Sequence, residues 1–374
     1  MTETLLSPTQ VFDGQSLLTG QVIRVEDGKV SDLRAAGDVP RDASVQAIDG
    51  TVSAGFVDLQ VNGGGGTLLN AKPCADAIKT IAEAHRSFGT VGVLPTVISD
   101  SSEVLAQAVD AALEAKGATG VLGLHIEGPH ISVIRRGTHD AAFLRPLDDV
   151  TLGHVRRLRE HDIPVMITVA PEVVSPDEIS TLTAMGAVVS LGHSDATAEQ
   201  TRAGLAAGAK AGTHLFNAMS PMLNRAPGVV GALINSEAYC GLIVDGIHVA
   251  EEMIGLAIRA RPRPDRMFLV SDAMPTIGGP EGFVLYGRQV RLEEGKLINN
   301  EGSLAGAHVT QAEGVARLVN NLQIDPALAL QMATTIPAEL MGFSALTGLV
   351  GRQLEDLICL DDKFVFTGFV ADAL

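Results

Sequence analysis

The sequence is poor in cysteine, in basic residues and in long apolar runs, and each shortage excludes a class of protein. Cys74, Cys240 and Cys359 lie far apart in 374 residues, so neither a disulfide framework nor a paired zinc-ribbon spacing is present. Lysine and arginine number 27 against 44 acidic residues, a net charge of −17, which repels nucleic acids and anionic membranes. We therefore expect no nucleic-acid partner, although a few local cations suffice for a small anionic substrate.

No stretch stays apolar over the roughly 18 residues that a bilayer span requires. The N-terminal MTETLLSPTQ also lacks the basic and apolar regions of an export signal. With the cysteine pattern, this predicts a cytoplasmic protein that has no membrane partner. Hydrophobic residues make up 46% and charged residues 19% of the chain, which is enough apolar material for a large globular core.

From Gly55 onward, short apolar runs alternate with helical segments, which predicts an α/β fold of the TIM-like (β/α)8 barrel type. The eight predicted strands are 56–61, 91–97, 121–126, 164–169, 187–191, 209–213, 239–244 and 267–270. Helix starts are indicated at Asp100 with Glu103 and at Ser175 with Glu178, because both pairs have the spacing of an N-terminal cap. His85 lies on the apolar face of the first helix and is interpreted as a core or boundary residue.

Both ends of the chain have strand-like composition. In QVIRVEDGKVSDLRA, alternation on either side of Asp27 and Gly28 predicts a tight hairpin, and LEDLICLDDKFVFTGFV is strand-like again. We expect residues 1–52 and 346–374 to pair as a small β-sandwich beside a catalytic barrel of residues 53–345. A second hairpin pattern, RQVRLEEGKLINNEG, predicts an insertion at about 283–302, near the barrel mouth.

Two histidines follow neighbouring predicted strands at equivalent positions. In VVSLGHSDATAEQTRAGLAAGAKAGTHLFNAM, a helical segment separates two apolar runs, and His193 and His214 come just after these runs. Parallel strands joined by a helix end at the same edge of a sheet, so we expect the imidazoles side by side. One such histidine alone is more often a structural hydrogen-bonding group. The equivalent placement of both favours a metal site.

Other polar residues follow the remaining predicted strands and are expected at the same rim. They are Asp58, Gln60, Asn62, Glu127, Asp245, His248 and Asp272. Glu127 with two histidines is a suitable ligand set for a divalent ion such as zinc and leaves a position for water. Asp272 is the best-placed base, and a helix N-cap in SDAMP is its equally weighted alternative. The NGGGG run is interpreted as a tight turn.

Six segments, in this order and spacing, resemble the N-acetylglucosamine-6-phosphate deacetylases of the amidohydrolase superfamily. They are GFVDLQVNGGGG, LHIEGPHISVIRRGTHD, SLGHSDA, GTHLFNAM, IVDGIHV and LVSDAM, and the likeness extends from about Gly20 to Gly368. The resemblance implies a hydrolase that converts N-acetylglucosamine 6-phosphate to glucosamine 6-phosphate and acetate, in amino-sugar metabolism. It implies that Glu127, His193 and His214 hold the metal and that Asp272 is the base for water and then the acid for the amine.

The resemblance also implies the substrate contacts. His139, in GTHD, helps to polarise the acetyl carbonyl. The other residues that match substrate-contacting positions are Asn217, Ala218, Arg225, His248, Leu304, Ala305 and Gly306. Arg225 and His248 hold the sugar phosphate, and in this family the arginine reaches the site from a second subunit, which implies a homodimer. Without the resemblance, Arg225 in LNRAPG would be interpreted as a solvated loop charge.

The sequence departs from many amidohydrolases after the first strand, where His-x-His helps to bind a second metal. Here the two positions are Gln60 and Asn62, neutral amides that bind divalent transition ions poorly. This predicts one divalent metal per chain, zinc with ferrous iron as the alternative. His125 shares a strand face with Glu127 and is a candidate supporting partner, while His130 lies beyond the strand.

Two other functions are compatible with the sequence. The same barrel could act on N-acetylgalactosamine 6-phosphate or on a cyclic amide. A chain of this kind could also be a non-catalytic sugar-phosphate sensor, but a sensor needs neither a Lewis acid nor a base, and the set of Glu127, His193, His214 and Asp272 contains both.

Overall fold

Among the described residues, five strands precede the barrel. A computed structural model of the protein describes residues 3–299 and 302–374. The strands are β1 (Glu3–Phe12), β2 (Leu17–Thr19), β3 (Gln21–Glu26), β4 (Lys29–Ala35) and β5 (Val45–Ala54). The predicted tight hairpin joins β3 to β4, and Asp27 and Gly28 have φ angles of 48° and 80°, as a two-residue turn of this kind requires.

The eight predicted apolar runs all form strands of one parallel sheet. The strands in this part of the chain are β6 (Phe56–Val61), β7 (Gly63–Gly64), β8 (Thr67–Leu68), β9 (Thr90–Ile98), β10 (Leu124–Glu127), β11 (Val165–Val169), β12 (Val188–Leu191), β13 (Ala211–Gly212), β14 (Tyr239–Leu242) and β15 (Met267–Leu269). All except β7 and β8 belong to the parallel sheet, in chain order. Backbone hydrogen bonds from Asp272 N to Gln60 O and from Asn62 N to Ala273 O (3.0 and 2.9 Å) join its two edges. The barrel prediction is confirmed.

Strands β7 and β8 form the tight turn predicted for NGGGG. They pair as a two-stranded hairpin, with Gly65 and Gly66 at φ angles of 59° and 75°. Nε2 of His85 donates a hydrogen bond to the carbonyl oxygen of Gly63 in this hairpin, at 3.0 Å. The ring is the donor because a carbonyl oxygen can only accept. His85 is buried, as predicted, and ties the first barrel helix to the turn.

Within the described residues, ten α-helices connect and cover the strands. They are α1 (Ala75–Arg86), α2 (Ser102–Glu114), α3 (Asp149–Glu160), α4 (Pro176–Ala184), α5 (Ala198–Ala206), α6 (Gly228–Ile234), α7 (Glu251–Ala260), α8 (Gln311–Asn320), α9 (Pro326–Ala333) and α10 (Thr335–Met341). Helix α4 has the predicted capping box of Ser175 and Glu178. The predicted cap of α2 is wrong by one residue: Ser101 caps the helix, and Asp100 accepts the N–H of Ser101 instead.

A three-stranded antiparallel sheet, which we call the insertion sheet, follows the last barrel strand. It consists of β16 (Gly282–Leu285), β17 (Arg288–Glu293) and β18 (Lys296–Asn299). Its first turn is Tyr286–Gly287, with φ angles of 50° and 73°. The insertion predicted at about 283–302 includes residues 300 and 301, which lie outside the described residues.

The C-terminal strands return to the first sheet, as predicted. Strands β19 (Leu357–Leu360) and β20 (Phe366–Phe369) extend it in the order β20-β19-β5-β1-β3-β4, with β2 paired to β1. Alternate residues of β19 face different cores, because Leu357 packs with Leu6 and Val52 of the sheet, whereas Ile358 packs with the barrel. The domain limits 1–52 and 346–374 stay a prediction, and residues 1 and 2 lie outside the described part.

The helices of residues 3–299 and 302–374 are too short or too polar to cross a membrane.

Candidate active site

The barrel gathers the predicted ligand residues at one rim. Glu127 is the last residue of β10, while His193 and His214 lie two residues beyond β12 and β13. Since all these strands are parallel, their carboxyl ends open on the same mouth, where the active sites of such barrels lie.

Three side-chain atoms from these residues approach one another closely. Oε1 of Glu127 lies 3.3 Å from Nε2 of His193 and 3.2 Å from Nε2 of His214, and the two Nε2 atoms are 3.0 Å apart. Ligands of a tetrahedral zinc ion at about 2.0–2.1 Å lie about 3.3 Å from one another. The spacing of the three atoms therefore fits a shared divalent ion.

The protonation of His193 also fits metal binding. Its Nδ1 lies 3.0 Å from the carbonyl oxygen of Arg135, so this nitrogen carries the proton and donates. In a neutral imidazole the other nitrogen, Nε2, then has a free lone pair directed at Glu127 and His214. A carbonyl that sets the ring orientation in this way is a common support of a metal-binding histidine.

The charge of Glu127 is stabilised although the residue is buried. Burial raises the pKa of its carboxyl, but hydrogen bonds and charges from His193 and His214 outweigh burial and hold this pKa well below the usual range. For His214, burial lowers the pKa, while the hydrogen bond and charge of Glu127 raise it, and the net shift is upward. Glu127 is therefore ionised, which is the form that binds a cation.

His139 is a further candidate ligand that lies beside this group. A ring nitrogen of His139 falls within 4.8 Å of the ligand atoms of Glu127 and His193. However, Nδ1 of His139 is engaged by Ser99, whose Oγ lies 2.7 Å away and whose N–H donates to it at 3.3 Å. Since Nδ1 accepts, the proton of the neutral ring lies on Nε2. His139 can therefore donate a hydrogen bond through Nε2, while Nε2 of His214 lies 3.2 Å from Oε1 of Glu127.

Gln60 and Asn62 take the positions at which many amidohydrolases have histidines, and they act as hydrogen-bond donors. Nε2 of Gln60 donates to Oε1 of Glu127 at 2.8 Å and to Oδ1 of Asp272 at 3.2 Å. Nδ2 of Asn62 donates to the same Asp272 oxygen at 2.7 Å. The two amides thus orient the carboxylates of Glu127 and Asp272.

Asp272 is buried in the mouth close to the ligand group. Burial and then the charge of Glu127 raise the pKa of its carboxyl to about 6. A carboxyl with a pKa near neutrality exchanges protons readily in both directions. Its predicted alternative as a helix N-cap is wrong, because the residues that follow form turns and no helix begins there.

Most of the predicted site residues line one cavity of about 170 Å³. Its walls are Asn62, Ile98, Glu127, Gly137, Thr138, His139, His193, His214, Asn217, Ala218, His248, Asp272, Met274, Leu304 and Gly306. His248 enters it from the loop after β14, where Nδ1 lies 2.6 Å from Oδ2 of Asp245. This carboxylate holds the ring and leaves Nε2 for other partners.

Two predicted substrate contacts lie outside this cavity. Ala305 is fully buried and its N–H bonds Leu297 O, so it supports the loop between Leu304 and Gly306. Arg225 is exposed, in a loop between Met219 and α6, and does not line the cavity of its own chain. A contact between Arg225 and a substrate therefore requires a neighbouring subunit or a movement of this loop.

Four residues that line the cavity, and Phe216 just after His214, have a left-handed backbone that non-glycine residues seldom adopt. They are His193, His214, Phe216, Ala218 and Asp272, with φ angles of 47°, 28°, 81°, 51° and 50°. Each conformation of this kind costs on the order of 1–3 kcal/mol and persists only where the surroundings hold it. Their concentration at the barrel mouth marks the region as functional.

The other two histidines near Glu127 are structural. His125 bonds Thr168 through Nε2 at 2.8 Å, on the barrel interior, and burial lowers its pKa to about 4. His130 lies between Arg145 O and Thr151 Oγ1, at 3.1 and 2.9 Å. The proposed supporting contact from His125 to Glu127 is therefore replaced by a contact to the neighbouring strand.

Similarity to known proteins agrees with this geometry. The family model described as Amidohydrolase family matches residues 51–353. The chain belongs to the amidohydrolase family. It is 39% identical over 370 residues to N-acetylgalactosamine-6-phosphate deacetylase of Shewanella sp. (strain ANA-3), covering 94% of this chain and 92% of the relative. It is 32% identical over 329 residues to N-acetylglucosamine-6-phosphate deacetylase of Haemophilus influenzae, covering 86% and 85%.

A solved structure shows that this amidohydrolase shares its whole architecture with a relative. N-acetylglucosamine-6-phosphate deacetylase from Pasteurella multocida superposes with a TM-score of 0.90 at 32% identity, over 98% of each chain. The resemblance seen in the sequence is confirmed. The chain is a hydrolase of a metal-dependent superfamily and has a candidate metal site at the mouth of its barrel.

Two residues of this amidohydrolase site were missed by sequence reasoning. Ser99 bonds His139, but it comes 40 positions earlier and carries no motif. Gly128 has φ 77°, and a Cβ there would lie 2.2 Å from Oγ of Ser99, so only glycine leaves room for that hydroxyl. The sequence did contain a sign of this close approach, because the glycine in HIEGPH directly follows the candidate ligand Glu127.

A larger cavity, of about 760 Å³, lies beyond Asp245 and is lined partly by α8. Its described walls contain Asp245, Glu294, His308 and Glu313 but none of the ligand residues Glu127, His193 and His214. The candidate ligand residues line the smaller cavity instead.

Proposed function

We propose that this amidohydrolase removes the acetyl group of an N-acetylhexosamine 6-phosphate, in the first place N-acetylglucosamine 6-phosphate. The products are glucosamine 6-phosphate and acetate. The observation that carries the proposal is the convergence of Glu127, His193, His214, Asp272 and His139 in one buried cavity. The names of the relatives at 39% and 32% identity, both deacetylases of N-acetylhexosamine 6-phosphates, support the substrate class.

Glu127, His193 and His214 would hold one divalent ion per chain, zinc or alternatively iron. When bound, such an ion polarises a carbonyl and lowers the pKa of water. Three protein ligands leave coordination space for substrate and water, as in catalytic rather than structural zinc sites.

Asp272 would move the proton. It takes a proton from the water that adds to the acetyl carbon, and it then delivers a proton to the sugar nitrogen as the carbon–nitrogen bond breaks. A pKa raised to about 6 suits both steps, since the group is ionised near neutral pH yet basic enough to hold the proton briefly. The amides of Gln60 and Asn62 orient the carboxylate towards the mouth.

His139 would stabilise the negative charge that develops on the acetyl oxygen. Burial and the neighbouring His193 lower its pKa to about 3, so the ring is neutral. With Nδ1 accepting from Ser99, the proton on Nε2 is available to the substrate. A pre-oriented donor of this kind in a buried site is worth about 10²–10³-fold in rate.

The sugar phosphate would lie on the side of His248 and Ala218. His248 offers Nε2, while Asp245 fixes its ring at 2.6 Å. A phosphate binds most tightly where an arginine also contacts it. Because Arg225 is absent from its own cavity, we propose that it enters the site of a partner chain in a homodimer.

An acetate-release assay on four substrates tests the proposed function. The substrates are N-acetylglucosamine, N-acetylgalactosamine and their 6-phosphates. We expect kcat/KM for the phosphorylated sugars to exceed that for the free sugars by about 100-fold, since losing a buried ionic contact costs about 2–5 kcal/mol. If no acetate is released from any of them, the proposal fails and a sugar-phosphate sensor becomes the better account.

The galactosamine epimer is a second candidate substrate. The relative at 39% identity is named for N-acetylgalactosamine 6-phosphate. The ratio of kcat/KM for the two 6-phosphates decides between the epimers, because both carry the same acetamide and phosphate and differ only at one hydroxyl.

Metal analysis should find one divalent ion per chain. Gln60 and Asn62 already donate hydrogen bonds to Glu127 and Asp272, so a second ion has no imidazole ligands from this strand. We expect about one equivalent by mass spectrometry of protein purified without added metal. The double variant Gln60→His/Asn62→His, loaded with excess zinc, should approach two. Two tightly bound ions in the unchanged protein would contradict this account of the amides.

Replacing Arg225 with alanine should raise KM for the phosphorylated substrate about 10- to 100-fold and change kcat much less. The loss falls on phosphate binding, and one truncated ionic contact costs about 2–5 kcal/mol at most. Arg156→Ala, which removes another exposed arginine, is the matched control. An unchanged KM for Arg225→Ala would remove this residue from the phosphate site.

Mixing two defective variants tests whether Arg225 acts across subunits. Arg225→Ala and Asp272→Asn chains are unfolded and refolded together, and their activity is measured at low substrate concentration. If the arginine comes from the partner, the mixed dimers, which are half of all dimers, each contain one complete site out of two. The mixture should then show about a quarter of normal activity. Unrestored activity would show that Arg225 serves its own chain.

A further inference from the structure

The tip of the insertion sheet reaches the back of the active site. At the turn between β16 and β17, Oη of Tyr286 donates a hydrogen bond to the carbonyl oxygen of Ser99 at 2.5 Å. Its ring lies 6.0 Å, centroid to centroid, from that of Phe143, which follows His139 by four residues in the same loop. Tyr286 thus contacts both segments from which the His139 imidazole is held.

Ser99 connects this turn to the imidazole. Its hydroxyl and N–H both face Nδ1 of His139, at 2.7 and 3.3 Å, while its carbonyl faces Tyr286. The Tyr286 hydroxyl therefore bonds the same residue that bonds His139.

Tyr286 also forms part of the wall behind the catalytic cavity. It lines a polar cavity of about 320 Å³ together with Arg136, Thr138, His139 and Asp140. Thr138 and His139 line the catalytic cavity as well. The loop that carries His139 thus separates the two cavities and has open space on both sides. Few side chains pack against such a loop, and Tyr286 is one that does.

We propose that Tyr286 is a positioning residue for His139, which it holds through the Ser99 carbonyl and through the contact of its ring with Phe143. This inference rests on the proposed function, in which His139 donates Nε2–H to the acetyl oxygen. Without the phenol, the Ser99 carbonyl loses its partner and the loop shifts towards the polar cavity. An error of about 1 Å in a donor can cost on the order of 10²-fold in rate.

The variant Tyr286→Phe isolates the hydroxyl, because the ring stays against Phe143. The chain has two tyrosines, and Tyr239 lies on the barrel strand β14 under Arg266, so Tyr239→Phe is the matched control. We expect Tyr286→Phe to lower kcat about 10-fold and to change KM less than about twofold. The control should match the unchanged protein in both constants.

An activated substrate separates positioning from general damage. The carbonyl of an N-trifluoroacetyl sugar phosphate is already electrophilic and depends less on a donor at its oxygen. If Tyr286 positions His139, the loss in kcat should be about threefold or less for this substrate, against about 10-fold for the acetyl substrate. Equal losses on both substrates would show a merely structural role and overturn the inference, as would an unchanged kcat.

A double variant and a spectroscopic measurement complete the test. Tyr286→Phe should add less than about twofold to the defect of Ser99→Ala, since both act through the same imidazole; full multiplication of the two losses would overturn the link. If the unchanged protein releases no acetate at all, the proposed function fails, but the ¹⁵N signals of the His139 imidazole still report its tautomer. If these ¹⁵N signals change in Tyr286→Phe but not in Tyr239→Phe, the link is supported. If they are unchanged in Tyr286→Phe, the link is overturned.

Discussion

Replacing Asp272 with asparagine is expected to lower kcat by about 10³-fold or more and to leave the metal content at about one ion per chain. Asparagine has nearly the same shape but cannot take up a proton, and proton transfer by a positioned group is worth about 10²–10⁴-fold. The ligand group stays whole, because Glu127, His193 and His214 bond one another without Asp272. Steady-state kinetics and metal analysis of the same sample measure both quantities.

The matched control for this variant is Asp58→Asn. Asp58 is also buried, and burial raises its pKa to about 6 as well, but its carboxylate accepts the N–H groups of Ser271 and Gln60 and does not line the cavity. We expect this control to lose stability while kcat stays within about 10-fold. A near-normal kcat in Asp272→Asn would remove Asp272 from proton transfer.

Replacing His193 with alanine is expected to remove the metal and nearly all activity. The variant keeps Glu127 and His214 but loses a nitrogen that lies about 3 Å from both. With two protein ligands left, the ion should be lost on dialysis, to below about 0.1 equivalents. The rate should then fall about 10⁴-fold or more, because polarisation by the ion and activation of water disappear together.

His130→Gln is the control for the loss of His193. His130 is equally buried, yet its ring bonds Arg145 and Thr151 away from the cavity, so its replacement should leave the metal in place. Zinc added to His193→Ala should restore little activity. If this variant kept a full equivalent of metal, the ligand assignment would have to move to His139, whose ring nitrogen lies within 4.8 Å of the same atoms.

The architecture of the site explains why the barrel tolerates this much buried polarity. The contacts of Glu127 with two imidazoles, the amides on Asp272 and the bond from Ser99 to His139 give most of these buried polar groups a partner. A buried charge without such partners would cost several kcal/mol. The left-handed backbone at His193, His214 and Asp272 is a further cost, which the surrounding barrel offsets.

Local patterns were enough to predict the strands and the rim positions of the ligands. Each barrel strand is a short apolar run, because it is buried on both faces, and the residue after such a run lies at the mouth whatever the rest of the chain does. His193 and His214 could therefore be placed side by side from sequence spacing. The same reasoning could not find Ser99, because its role comes from contact with His139 across 40 residues and leaves no local pattern.

The boundary errors have a similar physical origin. The start of α2 depends on which of two adjacent polar residues, Asp100 or Ser101, turns its side chain back to the helix N–H groups. The Asp100 carboxylate accepts a hydrogen bond from Nδ2 of Asn70 at 3.0 Å. Because this tertiary contact holds Asp100, the side chain of Ser101 caps the helix instead. The role of His125 was decided likewise, by the hydroxyl of Thr168 on the next strand.

By itself, the sequence determined the barrel, the chain-end sheet and the place of Glu127, His193 and His214 at the barrel mouth, because hydrophobic periodicity and the residues at strand ends act over short stretches. Only the tertiary structure decided the tautomer of His139, the use of Gln60 and Asn62 as donors and the reach of Tyr286 to Ser99. These depend on atoms that are brought within about 3 Å by the closure of the barrel and the folding back of the insertion sheet. Hydrogen bonds act at that distance alone, so no pattern along the chain encodes them.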